Sequence, residues 1–80
     1  MEKPEIVFGR VLRHFRKDIN FSQEKLAQES GLDRTYISLL ERGLRQPTLT
    51  SLLKLAAALG VSAVNLVDKV EVSMNENNWD

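Results

Sequence analysis

One piece of punctuation occurs three times in this 80-residue chain. An apolar residue is followed by a short side chain bearing oxygen, and a second apolar residue stands four positions further on. The three instances are Phe21-Ser22 with Leu26, Leu32-Asp33 with Ile37, and Val61-Ser62 with Leu66. The oxygen accepts from a free N–H at a helix start, and the apolar pair closes across it as a staple. Thr48 marks a fourth start, with only Pro47 before it. Gly31, Gly43 and Gly60 stand where the preceding segments must end, in positions suited to a left-handed C-cap. At the front, Pro4 suits a first helical turn and Glu5 its dipole. Phe8, Leu12, Phe15 and Ile19 then recur at helical spacing before Asn20 interrupts. The pattern predicts a compact all-α domain of five helices, at about 4–18, 23–30, 34–42, 49–59 and 63–69. The stretch "VEVSM" at 70–74 alternates, which predicts a short strand, and "NENNWD" at 75–80 looks frayed. Residues 70–80 are therefore expected to be an appended tail on a domain spanning 1–69.

Composition narrows the function. There is no cysteine, so disulfides and thiolate metal sites are excluded, and the single histidine, His14, argues against a protein-only zinc site. No apolar run approaches the roughly 20 residues that span a membrane, and the opening "MEKPEIVFGR" is not that of a secretory signal. A cytoplasmic protein is expected. With one histidine and no glycine-rich phosphate loop, an enzyme is not expected. Glu24, Glu29 and Asp33 read as helix-end charges rather than a catalytic pair. No cofactor is expected, and 80 residues leave no separate ligand domain for a small molecule. The formal net charge of zero hides a division. Residues 1–67 hold ten Lys/Arg and seven Asp/Glu, a net +3; residues 68–80 hold Lys69 against Asp68, Glu71, Glu76 and Asp80, a net −3. A mildly basic body carries an acidic end.

The helices at 23–30 and 34–42 are separated by "SGLD", in which Gly31 permits a sharp reversal, Leu32 plugs inward and Asp33 caps the next helix. Two short helices around such a turn fit a helix-turn-helix, whose second helix enters the DNA major groove. An ordinary helical hairpin in a small bundle fits the same geometry. Residue chemistry favours DNA. With Ile37 at 0°, successive residues advance by about 100°. Leu40 then falls near about −60° and Glu41 near about +40°, facing inward. Ser38, Arg42, Thr35 and Leu39 fall between about 100° and 200°, on the outer face. Arg34 leads from the first turn, and Tyr36 lies at the border. A guanidinium fork, two hydroxyls and an aliphatic group are what base edges and thymine methyls can accept, so Arg34, Thr35, Ser38 and Leu39 are candidate base readers. A solvated Leu39 is the plain alternative. Gln23, Tyr36, Arg42 and Arg45 are candidate phosphate contacts, which position without reading sequence. Glu41 faces the core and needs a partner. Arg16, on the inner side of helix 1, is expected to supply it as a structural ion pair.

The ordered combination "LRHFR", "SQEKLA", "TYISLLERG" and "PTLTSLLKLAAALGVS", within residues 8–62, resembles the Cro/lambda-repressor helix-turn-helix family, also called XRE-like. The resemblance implies a five-helix domain binding operator DNA as a dimer, as a bacterial or phage transcription regulator acting on the nucleoid. It implies that Gln23 contacts phosphate and braces the recognition helix, and that Arg34, Thr35 and Ser38 or Leu39 face bases. "LDRTYIS" is similar to the controller proteins of restriction–modification systems. Leu39 departs from the polar or basic residue of many relatives, and the resemblance does not assign the acidic tail after Val67. One recognition helix reads too few base pairs to select a genomic site, so a homodimer on a (pseudo)palindromic operator is expected. Ala63, Val64, Val67 and Val70 are its candidate interface. An antitoxin-type interaction module on the same fold, partnered by a toxin, is the alternative. RNA polymerase is a further candidate partner.

Overall fold

The computed structural model describes residues 2–77. It consists of α1 (Pro4–Asp18), α2 (Gln23–Ser30), α3 (Arg34–Glu41), α4 (Leu49–Leu59) and α5 (Ala63–Asn77), with no strand among the described residues. Each expected cap forms. The hydroxyls of Ser22, Thr48 and Ser62 accept from the backbone N–H groups of Lys25, Ser51 and Asn65 at 2.9, 3.0 and 3.1 Å, and Asp33 accepts from Thr35 N at 3.4 Å. Gly31 and Gly60 end α2 and α4 in the left-handed region, at φ 73° and 74°. The α1–α2 connection also needs a left-handed residue, and Asn20 supplies it at φ 59°.

α1 packs against α3 and α5, α2 against α3 and α4, and α4 against α5. One core joins all five helices: Val7, Phe8, Val11 and Leu12 of α1, Leu26, Ile37, Leu40, Leu55, Ala56, Leu59 and Leu66. Ile19 does not belong to it. That residue caps α1 and is exposed, so the helix's apolar stripe runs through Val7 and Val11 instead.

Two features differ from expectation or escape it. α5 continues through Asn77, so the 70–74 segment is helix rather than strand. Alternating Val70, Val72 and Met74 also places Val70 and Met74 four apart, in line with buried Leu66. Both pack against the core in that register, while Val72 is left exposed. The acidic end is thus an extension of the domain, with no sheet to receive a strand; Asn78, Trp79 and Asp80 lie outside the described residues. The second feature is Gly9. A Cβ built there would stand 2.5 Å from the Leu40 carbonyl oxygen and 2.6 Å from that of Glu41. The backbones of α1 and α3 therefore touch where any side chain would separate them.

Candidate nucleic-acid interface

The turn between α2 and α3 is held from within. Gly31 N–H donates to Ala27 O at 2.9 Å, Leu32 N–H to the Ser30 hydroxyl at 3.3 Å, and Leu32 packs against the core. Asp33 then starts α3. Ile37 and Leu40 are fully buried, which fixes how α3 is rotated.

Polar contacts fix it further. Arg16 Nε and Nη2 donate to the two oxygens of Glu41 at 2.6 and 2.9 Å. Its Nη1 donates to Phe21 O at 2.7 Å. Gln23 Nε2 donates to Glu41 Oε1 at 3.1 Å. The two charged side chains are only 9% and 3% exposed. The planar Arg16 fork thus ties α1 and the α1–α2 connection, and Gln23 ties the start of α2, to the last residue of α3. The hydrogen bond to Glu41, reinforced by its charge and opposed by burial, raises the Arg16 pKa above its ordinary value. Arg16 therefore stays charged throughout the working pH range.

The outer face of α3 is differently placed. Arg34, Thr35 and Arg42 are exposed, while Ser38 and Leu39 are partly covered. Among the described residues, no side-chain hydrogen bond or ion pair engages Arg34, Arg42 or the Thr35 and Ser38 hydroxyls. Leu39 lies outside both the buried core and the set of apolar side chains packed on it. Arg42 is the C-cap of α3 rather than its last helical residue. Tyr36 packs partly on the core and carries the Arg45 guanidinium over its ring, 5.6 Å from the centroid. That contact places a cation from the α3–α4 loop beside α3. Gln23 gives one amide hydrogen to Glu41 and keeps the other. Exposed Leu44, immediately before Arg45, is a neighbour the sequence pattern did not single out.

A second surface lies between α4 and α5. Leu49 and Val64 are 72% and 75% exposed, Val67 is exposed beside them, and exposed Leu53 lies one turn along α4 from Leu49, outside the cavity they line. Leu49, Val64 and Val67 share an open cavity of about 390 Å³. Of the four residues expected at an interface, Val64 and Val67 stand clear. Ala63 and Val70 are partly buried against the core. Leu49 and Leu53 were not anticipated, because α4 is apolar around much of its circumference and its pattern does not say which leucines stay outside.

Comparisons with known proteins agree with this geometry. A family model described as helix-turn-helix matches residues 12–66. Control protein C.BamHI of Bacillus amyloliquefaciens is 47% identical over 64 residues, covering 79% of each chain. The crystal structure of the restriction-modification controller protein C.AhdI from Aeromonas hydrophila superposes with a TM-score of 0.76 at 45% identity, over 78% of this chain and 94% of that one. The clp gene regulator ClgR from Corynebacterium glutamicum gives 0.88 at 29% identity, over 95% and 81%. The matched segment includes the whole of the α2–turn–α3 unit and both halves of the Arg16–Glu41 pair. The chain belongs to the helix-turn-helix family and is a DNA-binding transcriptional regulator.

Proposed function

We propose that this regulator is a homodimeric controller protein that places α3 in the major groove of each half of a two-fold operator. The observation that carries the reading is the contrast between the two faces of α3. Its inner face is engaged by the core and by Arg16 and Gln23, while Arg34, Thr35, Ser38 and Leu39 stand on the other side. In this reading those four face bases, with Leu39 against a thymine methyl. Gln23, Tyr36, Arg42 and Arg45 lie along the flanking phosphates. The apolar face of Leu49, Leu53, Val64 and Val67 joins two copies about a two-fold axis, which sets the half-sites about one helical turn apart. The family is one of DNA-binding regulators, which suits a non-enzymatic protein working at the nucleoid.

Selection of bound sequences from random duplexes tests it. The expected product is a two-fold symmetric site whose affinity falls steeply with salt. Arg34→Ala should lose discrimination at particular base pairs by about 1–3 kcal/mol, whereas Arg45→Ala should weaken all sequences alike. An unchanged preference in Arg34→Ala would remove Arg34 from the reading face.

A further inference from the structure

The C-terminus of α3 is closed by a Schellman turn. Gly43 takes the left-handed conformation at φ 74°. Its N–H donates to Leu40 O at 3.1 Å, and the Leu44 N–H donates back to Leu39 O at 3.0 Å. In such a turn the residue after the glycine commonly packs its side chain on the helical residue whose carbonyl it has reached. Here both residues are leucines. We propose that Leu44 is a positioning residue for sequence reading, lying over one side of Leu39 and holding that side chain ready for its base.

Burial and the neighbouring anchors support the contact. Leu39 is partly covered, yet it belongs neither to the core nor to the apolar side chains packed on it. Its cover therefore comes from outside the core. Leu44 is exposed, but the chain is held on either side of it. Gly43 stands close against α1, where a Cβ would lie 3.0 Å from both Cα and Cγ1 of Ile6. Arg45 reaches back over the ring of Tyr36, three residues before Leu39 on α3. Leu44 is thus kept at the end of α3 that carries Leu39.

The contact bears on specificity through side-chain freedom. A leucine that moves freely in water must give up rotamers when it meets a thymine methyl, and gives them up only at the base it recognises. A leucine already held loses less, so more of the contact survives as discrimination. Leu44 acts through Leu39 rather than through the phosphates. This role rests on the reading of α3 as the DNA-binding helix and of Leu39 as a base contact.

Two measurements test it. In the free protein, nuclear Overhauser contacts should join the methyl groups of Leu39 and Leu44, and Leu44→Ala should release Leu39 into rotamer averaging. Absence of those contacts overturns the proposal. The second measurement is affinity for the selected operator and for duplexes altered at one base pair at a time. Leu39→Ala identifies the pair that Leu39 reads. Leu44→Ala should reduce discrimination at that pair by about two- to fivefold, the freedom of one leucine side chain, and leave the other pairs as they were. Added to Leu39→Ala, it should change nothing further. Leu44→Met, apolar and of similar volume, should retain most of the discrimination. Leu44 is 61% exposed, so the melting temperature should stay near native in both variants. Weaker binding to every duplex with preferences intact, or a lower melting temperature alone, gives Leu44 a general role and overturns the proposal. So does additivity with Leu39→Ala. An unaltered chain that selects no operator sinks the DNA reading itself, whereas a selected operator read identically by Leu44→Ala sinks only the role of Leu44.

Discussion

Arg16 and Arg34 carry the same guanidinium in opposite circumstances. Every nitrogen of Arg16 donates, and its environment has little water. Removing Glu41 would leave that charge buried and alone. Glu41→Ala should cost about 3–5 kcal/mol in urea unfolding, whereas Arg16→Met/Glu41→Leu should lie much nearer the native stability, because a buried pair can be replaced by packed apolar groups at little loss. Recovery of stability without recovery of DNA affinity would assign the pair to orienting α3 rather than only to holding the fold. The adjacent leucines divide in the same way. Leu40 is fully buried and Leu39 is not packed on the core. Leu40→Ala should destabilise by about 2–5 kcal/mol. Leu39→Ala should leave the melting temperature close to native and alter preference at one base pair. Unfolding of the Leu39 variant would show that α3 is rotated otherwise.

At the scale of the helix, the α1–α3 contact at Gly9 is one that a side chain would destroy. Gly9→Ala gains up to about 1 kcal/mol of helix propensity and meets two carbonyl oxygens of α3. The clash should win by about 1–3 kcal/mol, lowering Tm by several degrees in a domain this small. Operator affinity should fall with it, since α3 must move. Gly9 was not foreseeable from the residues around it. A glycine inside a periodic helix becomes meaningful only once the neighbour that touches it is located. Caps and glycine ends were legible because each acts over four or five residues, as Ser22, Asp33, Thr48 and Ser62 all show. The Arg16–Glu41 pair was legible too, because helical phase put both charges on buried faces. The end of α5 was not. Val70 and Met74 satisfy a spacing of two through Val72 and a spacing of four directly, so the pattern alone does not separate strand from helix there.

For the whole molecule, the proposed reading needs the outer face of α3 and the α4–α5 apolar face to be occupied at once, and they lie on different helices. Val64→Asp tests the second of these. Val64 is 75% exposed, so folding should change little. A two-fold interface would bring the new charge in twice. The expected result is a monomer by sedimentation, with affinity for the full operator reduced to that for a half-site. A dimer that persists in this variant would move the interface elsewhere.

The contrast between the two faces of α3 has a consequence for how such proteins diversify. Arg34, Thr35, Ser38 and Leu39 can be exchanged without disturbing Ile37, Leu40 or the fork on Glu41, because none of the four packs into the core. In the proposed reading, the scaffold and the address it recognises are therefore separately heritable. A lineage can acquire a new operator through a few outward substitutions while the fold is inherited intact, and its regulator then ceases to answer to the old one.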